Sequence, residues 1–435
     1  MMMLLFEDRY LLIRAASLYV TVMLTVALWV WRRPTRSAVA GALMASVWNL
    51  PVVLVLHLAA KHFGWWQFDA HGGLFLGMPV ELYLSWAWLW GAVLALAFPS
   101  LALGAVMLIA LAADLVLMPA LAPVLRLGPG WYLGEIIALL AAMLPGQLLA
   151  RWTIRRERLA ERAVLQVAAF TGLMLFVLPA AVIEGSGSDW LDPLGLPAWQ
   201  LSLIAQALAL PALVGLSAVQ EFVSRGGGTP VPFDPPQQLV TSGLYGYIRN
   251  PMQLSAVVLL FFLGLVLRNV WVAAAGVMAH IYSVGLAGWD EGEDLRARFG
   301  ADWIAYRRGV RAWVPQLRPW HQTGRSTARL FVSESCDMCR EVGRWFAVRG
   351  TRQLAIVPAE THPSRALTRI TYEPGDGSRE ATGVEAVARA LEHVHLGWAL
   401  IGCLLRLPVI CQLAQLLTDA SGGEPRDITA TGVMR

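Results

Sequence analysis

The sequence predicts an α-helical polytopic membrane protein of about nine transmembrane helices with a small C-terminal α/β domain. Three observations predict it. Hydrophobic residues make up 57% of the 435-residue chain, charged residues only 15%, and mean hydropathy is +0.55; soluble domains carry about a quarter charged residues. Apolar runs recur that are long enough for a hydrocarbon core about 30 Å thick, roughly 20 residues each. After Trp320 the composition turns into a soluble mixture with Gly, Asp and Arg, and it stays so for about a hundred residues. The same figures exclude a disordered or fibrous chain.

The expected spans are 11–31, 38–57, 78–98, 101–121, 133–150, 164–183, 199–219, 252–267 and 270–288. The last two are short and meet at Arg268-Asn269, a tight link that reads as a helical hairpin. Charge sets orientation. Arg32, Arg33 and Arg36 follow the first span, and Arg151, Arg155, Arg156, Arg158 and Arg162 follow the fifth. Arg225 and Arg249 flank the loop after the seventh, and the arginines from Arg296 to Arg325 follow the ninth. These clusters all follow odd-numbered spans and so share one side, the cytoplasmic one by the positive-inside rule. The acidic loop 184–192 falls on the other side, with Lys61 and Arg268 as isolated exceptions. The expected setting is a bacterial cytoplasmic (inner) membrane with the C-terminal domain in the cytosol.

Net charge is +4, and of 34 basic residues only Lys61 is a lysine. The arginines sit between apolar runs rather than in a stripe, so no nucleic-acid partner is expected and the bilayer accounts for them. The four cysteines, Cys336, Cys339, Cys403 and Cys411, all lie late in the chain. That placement speaks for a reducing or redox-active cytosolic tail, not a secreted disulfide framework. Residues 1–14 lack the basic start and cleavage site of a signal peptide, so the first apolar run is expected to stay. Expected domains are 1–195, an N-terminal membrane domain; 196–322, a membrane domain with the hairpin; and 326–424. In the last, short apolar runs at 329–332 and 353–358 flank a helical pattern at 336–348, and 385–395 is helical by period. The apolar stretch 396–417 is broken by Arg406 and Pro408 and is expected to form two short amphipathic helices.

The chemistry concentrates between residues 232 and 320. A Pro/Gly-rich loop ends in Arg249-Asn250-Pro251 at the start of a helix, where Pro251 suits the first turn and Asn250 can cap it. The hairpin returns the chain to the same bilayer face, so Arg249 can approach Glu291 in the acidic run 289–295. A guanidinium and a carboxylate facing one cleft suit a zwitterion, Arg249 taking its carboxylate bidentately and Glu291 its ammonium. The amino-acid end of S-adenosylmethionine is such a ligand. Charge alone also fits an interfacial anchor at Arg249 and a solvated face at Asp290, Glu291, Glu293 and Asp294.

The ordered set Gly243, Tyr245, Arg249, Asn250, Pro251, Glu291, Leu295, Phe299, Gly300 and Tyr306, followed by Val314-Pro315, resembles the isoprenylcysteine carboxyl methyltransferase family and the related membrane phospholipid methyltransferases. The resemblance spans about ninety residues. It implies S-adenosylmethionine as cofactor, a lipophilic isoprenoid or lipid-like acceptor entering from the bilayer, and Arg249 and Glu291 as the central pair. Tyr245, Tyr247, Asn250, Pro251 and Tyr306 would contact the cofactor or organise its pocket. Three positions depart from the family pattern: Asn250 for the commoner His, Gln253 for a Tyr and Gly292 for a second Glu. Asn cannot act as a base near neutral pH. Carboxylate O-methylation is least affected, since an ionised acid is already nucleophilic and needs only in-line placement. His280, mid-span in the hairpin, reads as a core or pore-facing histidine.

Two further stretches carry rival readings. Cys336-Asp337-Met338-Cys339 lies between a strand pattern and a helix, where the helix dipole makes Cys336 the natural nucleophile and Cys339 the resolving thiol. It resembles the thiol–disulfide oxidoreductases named for an Asp-x-x-Cys-x-x-Cys start, with a thioredoxin-like fold; Ser333 stands where the family has Asp. With no second Cys pair or suitably spaced His, no metal is expected. The 64–69 and 77–82 stretches resemble the membrane lycopene-cyclase domain, with a Pro-x-Glu at a helix start. That resemblance implies Glu81 as an acid in an isoprenoid or carotenoid cyclase; an interfacial carboxylate satisfied by the helix dipole is the alternative. Asp114 and Glu135 are the other acids within apolar runs. A nicotinamide-dependent reductase would need a Gly-rich loop that the sequence lacks. Oligomeric state is left open.

Overall fold

The computed structural model describes residues 2–186, 190, 192–231, 233–322, 324 and 326–426. Residues 187–189 and 191 of the expected acidic loop, together with Pro232 and Arg325, lie outside this set, as do the side chains of residues 1–8, 286, 287, 289 and 290. The described chain is mostly helical, and seven helices are long and apolar enough to cross a bilayer. They are α1 (Met2–Arg32), α2 (Arg36–Phe63), α3 (Val80–Ala97), α4 (Leu103–Ala120), α5 (Trp131–Arg155), α6 (Leu159–Ser186) and α7 (Ala198–Gly226). This is the architecture of a polytopic helical membrane protein.

By this measure the described spans number seven where nine are expected. The other two are the hairpin helices α8 (Pro251–Val266) and α9 (Val270–Gly285), apolar but shorter. What shortens them is the break at Asn269, whose side-chain oxygen accepts from the backbone N–H groups of Trp271 and Val272 at 3.0 and 3.1 Å and so starts a new helix.

The chain divides into two compact units. The first comprises Met1–Gly195, Thr229–Pro235 and Leu263–Val272. Its central helix is α2, packed against α3 and α5, with Val53, Leu54, Met78, Leu82, Val106 and Met143 in the core. Thr35 caps α2 through its hydroxyl, and Gly64 ends it in the left-handed conformation. A wide turn at Leu89–Val93 inside α3 leaves backbone groups without ordinary helical partners. Side chains take them up: Gln147 donates to the carbonyls of Trp90 and Gly91 at 2.6 and 2.9 Å, and Ser46 accepts from Ala92 at 3.0 Å. Small antiparallel pairings join β1 (Trp66–Phe68) to β4 (Leu125–Leu127), and β2 (Leu74–Phe75) to β3 (Met78–Pro79). They connect the C-terminal ends of α2 and α4 to the N-terminal ends of α3 and α5.

The second unit comprises Leu196–Gly228, Pro236–Phe262 and Ala273–Arg435, so residues of the expected second and third domains fall together in it. It contains α7, most of the hairpin, and α10 (Gly288–Gly309), which kinks at Gly300. Gly300 has φ +51° and ψ −120°, a conformation that only glycine adopts readily. The C-terminal part is a four-stranded sheet in the order β6-β5-β7-β8, formed by β5 (Ala328–Val332), β6 (Leu354–Pro358), β7 (Thr371–Glu373) and β8 (Ala381–Thr382). β5 runs parallel to β6 and antiparallel to β7, and β8 is antiparallel to β7. Helix α11 (Asp337–Val348) connects β5 to β6. The two faces of β5 serve different clusters: Leu330 joins Phe346 and Tyr372, while Phe331 joins Ala359 and Leu367.

Helix α12 (Val384–Leu391) is followed by two helices over the apolar stretch, α13 (Leu396–Leu405) and α14 (Pro408–Thr418). They are bent by 88° at a break containing Arg406. Pro408, at the first turn of α14, cannot continue α13.

Candidate functional site

The segment after α10 is laced onto the loop before α8. Arg249 and Asn250 donate their backbone N–H groups to the carbonyls of Arg311 and Ala312 at 3.0 and 3.3 Å. Gln316 donates to Tyr247, and Trp320 to Gly246. The Asn250 carbonyl accepts the first intrahelical bond of α8, from Leu254 at 3.0 Å, with Pro251 as the first helical residue. This lacing fixes where the Arg249 side chain begins. Its guanidinium lies over the Trp303 ring, 5.6 Å from the centroid, and its Nε, though buried, has no hydrogen-bond partner.

Glu291 stands at the exposed start of α10. Crowding of its carboxylate by neighbouring atoms raises its pKa; the charge of Arg249 and the Gln253 amide pull the other way. Arg249 and Glu291 thus act on one another electrostatically, yet neither makes an ion pair with another described residue. Tyr306 is buried and donates its hydroxyl to the Tyr245 carbonyl at 2.8 Å. The Tyr245 hydroxyl, Gln253 Oε1 and Trp303 Nε1 are buried without partners. Burial also pushes the Tyr245 and Tyr306 hydroxyls well above the usual phenol range, so both are neutral. The arrangement is a set of directed but uncommitted polar groups between a guanidinium and a carboxylate.

Not every candidate residue joins this group. Tyr247 is fully buried and donates its hydroxyl to the Glu392 carbonyl at 2.8 Å, a tie to the chain after α12. His280 sets its ring edge-on to Trp313, centroids 4.4 Å apart, one residue beyond Ala312. Trp303 and Gln253 belong to the group, although the sequence marks Gln253 only as a departure and Trp303 only by its spacing after Phe299-Gly300, with no site role for either. The signal for Trp303 was its place in the Phe-Gly-x-x-aromatic spacing.

A second charge cluster went unread in the sequence. Glu221, 1% exposed, accepts from Arg389 Nη1 at 2.8 and 2.9 Å and from Arg406 Nη1 at 2.7 Å. Arg406 Nε lies 3.1 Å from Glu392, and Glu392 accepts from the Gly243 N–H. Gly243 has φ +60°, and a Cβ there would meet the Glu221 side chain at 3.1 Å. An arginine breaking an apolar stretch needs a buried acid, and Glu221 near the end of an apolar span was the available one. A cavity of about 90 Å³ lies nearby, lined by Arg225, Ser242, His321, Tyr372, Glu392 and His393 among others, but by neither Arg249 nor Glu291.

Cys336 is the N-cap of α11, its sulfur accepting from the Cys339 N–H at 3.5 Å. Both thiols are free. Burial would raise the Cys336 pKa, but hydrogen bonds from Cys339 and from the first-turn backbone outweigh it and lower the pKa. Burial and the neighbouring Cys336 push Cys339 up to about 12. Ser333 donates to Glu360 at 2.7 Å, which also accepts from the Glu334 N–H. Cys403 is buried in the core and Cys411 partly exposed. Glu81 is ion-paired, accepting from Arg14 at 2.9 and 3.0 Å, so it faces a guanidinium rather than an apolar wall. No cluster of three or more metal-binding side chains occurs among the described residues.

No protein-family model matches the sequence, and no curated protein and no solved structure is detectably similar to it.

Proposed function

We propose that this chain is an integral-membrane S-adenosylmethionine-dependent methyltransferase acting on a lipophilic, isoprenoid or lipid-like acceptor, with carboxylate O-methylation the transfer its residues suit best. One observation carries the reading. Around Arg249 and Glu291, the Tyr245 hydroxyl, Arg249 Nε, Gln253 Oε1 and Trp303 Nε1 are left without partners where burial makes that costly. Such groups await a polar ligand, and a zwitterion that also carries a sulfonium fits this donor set. Arg249, steadied over the Trp303 ring, would hold the amino-acid carboxylate and Glu291 the ammonium. When bound, the cofactor supplies an electrophilic methyl group. Tyr306 and Tyr245 brace the pocket and keep water from it. Asn250 offers no base, which suits an acceptor already ionised.

The test is calorimetric titration of the full chain in detergent or nanodiscs with S-adenosylmethionine and with its demethylated product. Saturable binding that weakens at least tenfold in both Arg249→Ala and Glu291→Gln, with unfolding unchanged, is expected. No saturable binding to the wild type refutes the reading.

The C-terminal part supports a second activity, thiol–disulfide exchange. The sheet order and strand directions favour a thioredoxin-like reading of 326–424, and the two thiols differ in acidity as an attacking and a resolving thiol do. Cys336 would attack a partner disulfide and Cys339 would displace the mixed disulfide. The redox potential of the pair, titrated against glutathione, tests this; a pair that never oxidises removes it.

A further inference from the structure

Helix α14 contains no charged residue, yet it leaves much of its apolar surface open. Val409, Leu413, Leu416 and Leu417 are 68%, 56%, 65% and 70% exposed. Their spacing of i, i+4, i+7 and i+8 places them in one stripe along the helix. The opposite face is committed. It packs on α12, where Gln415 Oε1 accepts the Val384 N–H at 2.8 Å. Gln415 also donates to Asp419 at 2.7 Å, and Asp419 accepts from Nη2 of Arg369, just before β7, at 2.8 Å. The helix is therefore tied to the sheet part, with its apolar stripe turned away from α12.

The orientation of α14 follows from α13. Ser217 on α7 donates to the Cys403 carbonyl at 3.2 Å, and Gln220 donates to the Arg406 carbonyl at 2.7 Å. Both contacts join residues 186 positions apart, so a step along α7 matches a step along α13 and the two helices run side by side in the same direction. Val214 and Leu400, at the same offset, share a hydrophobic cluster. Helix α7 is a membrane span whose uncharged stretch ends at Gln220, with Glu221 and Arg225 beyond it. Arg406, at the break between α13 and α14, lies level with that end. Because α13 follows the axis of the span, α14, bent from it by 88°, runs across that axis where apolar sequence gives way to charge. In a spanning helix this level is the edge of the hydrocarbon core.

We propose that α14 is a monotopic membrane contact. Its stripe from Val409 to Leu417 lies in the headgroup–acyl boundary of the bilayer that holds α7, and it docks the sheet part against the membrane surface. A contiguous exposed apolar face marks an interaction surface, and a helix apolar on one side and held by polar bonds on the other suits the bilayer interface. The lipid around α7 is continuous with it, since Leu210 and Leu216 of that span are exposed too. The inference depends on α7 crossing the bilayer and on neither proposed activity.

Spin labelling of the full chain in nanodiscs tests it. Cys336, Cys339 and Cys411 are replaced by serine, Cys403 being buried. Single labels are then attached through Leu413→Cys and Leu416→Cys, with Leu210→Cys on α7 as the lipid reference and Glu341→Cys, exposed on α11, as the water reference. Power saturation with oxygen and with a nickel chelate should give both α14 labels an oxygen-to-nickel accessibility ratio well above that of Glu341→Cys and approaching that of Leu210→Cys. A ratio equal to that of Glu341→Cys overturns the proposal. So does shielding from both reagents, with spin–spin broadening then assigning the face to a second copy of the chain. Should the labelled variants not fold, photolabelling of the wild type decides. A lipid-borne diazirine is expected to mark residues 408–417 and a water-soluble one to spare them, and the reverse pattern overturns the proposal.

Discussion

Two charge clusters in the second unit, built from the same residue types, are resolved in opposite ways. Around Glu221 the charges close in ion pairs, with Arg389, Arg406 and Arg225 on Glu221 and Glu392 beside Arg406, although Arg389 Nε, Arg406 Nη2 and Arg225 Nη1 keep no hydrogen-bond partner. Around Arg249 and Glu291 the opposite charges are near but uncommitted, and four neighbouring polar atoms have no partner. A closed cluster holds elements together, here α7, the 242–243 turn and the helices after the sheet. An open one leaves its guanidinium and its carboxylate without an ion pair, an arrangement that suits a ligand carrying both charges. The difference gives the first an architectural role and makes the second the candidate for ligand recognition.

The largest effect should come from opening the closed cluster. Glu221→Gln leaves two buried guanidinium groups to share Glu392, and breaking a buried pair from one side typically costs about 3–5 kcal/mol. Chemical denaturation of the full chain should show a loss of that order. Arg249→Ala, by contrast, should change stability by less than about 1 kcal/mol, since no ion pair is lost. Equal losses in the two variants would erase the distinction.

Next in size is the response of the open cluster to losing an orphan. Tyr245→Phe deletes a buried hydroxyl that has no partner, so unfolding should be unchanged or slightly harder. If that hydroxyl meets a charged ligand, affinity for S-adenosylmethionine should fall about tenfold, the worth of one such hydrogen bond. A variant that loses stability and keeps its affinity would mark Tyr245 as structural.

The thiols sharpen the same contrast between a prepared group and a buried one. Because the Cys336 pKa is lowered, its thiolate forms at a lower pH than an ordinary thiol, whereas Cys339, near 12, stays protonated. Alkylation by iodoacetamide at neutral pH should therefore label Cys336 first, and Cys336→Ser should abolish the fast phase. Equal rates at both cysteines would show that the helix start does not activate the first.

The two clusters were also unequally legible. Arg249, Glu291 and Tyr306 could be placed from spacing because a hairpin must return the chain to its starting face, and backbone lacing at Arg311 and Ala312 does the rest. The closed cluster joins Glu221 to Arg389 and Arg406 across more than 160 positions, and nothing local in an apolar run says which distant acid an arginine will meet. Tyr247 shows the same limit. Its spacing beside Tyr245 suggested a shared pocket, but the two side chains of a turn point apart, and one of them ends on the Glu392 carbonyl. Periodicity marked the long helices well, since bilayer thickness sets their length. It also placed the short hairpin and its link at Arg268-Asn269, though not the capping of the second helix by the Asn269 side chain.

The most gradual effect, spread over more than two pH units, tests whether the closed region extends to the sheet. His393 donates through Nδ1 to the Arg352 carbonyl at 2.9 Å and accepts at Nε2 from the Tyr372 hydroxyl at 2.9 Å, so its neutral form is fully used. Its ring stacks on His321 at 5.5 Å. Burial holds both imidazoles down at about 4, and their mutual repulsion adds to this for His321. An unfolded histidine titrates near 6.5, so between that pH and 4 the unfolded chain binds protons that the folded one refuses. Stability is full above pH 6.5 and falls as the pH drops towards 4, by on the order of 1–2 kcal/mol per histidine after allowing for partial exposure. His393→Gln keeps a donor and an acceptor but cannot charge, so it should roughly halve this limb of the stability profile, His321 supplying the rest, and leave the value at pH 8 little changed. A wild-type profile that is flat between pH 6.5 and 4 would mean the pair opens to solvent and titrates freely, and the closed region would then stop at α12.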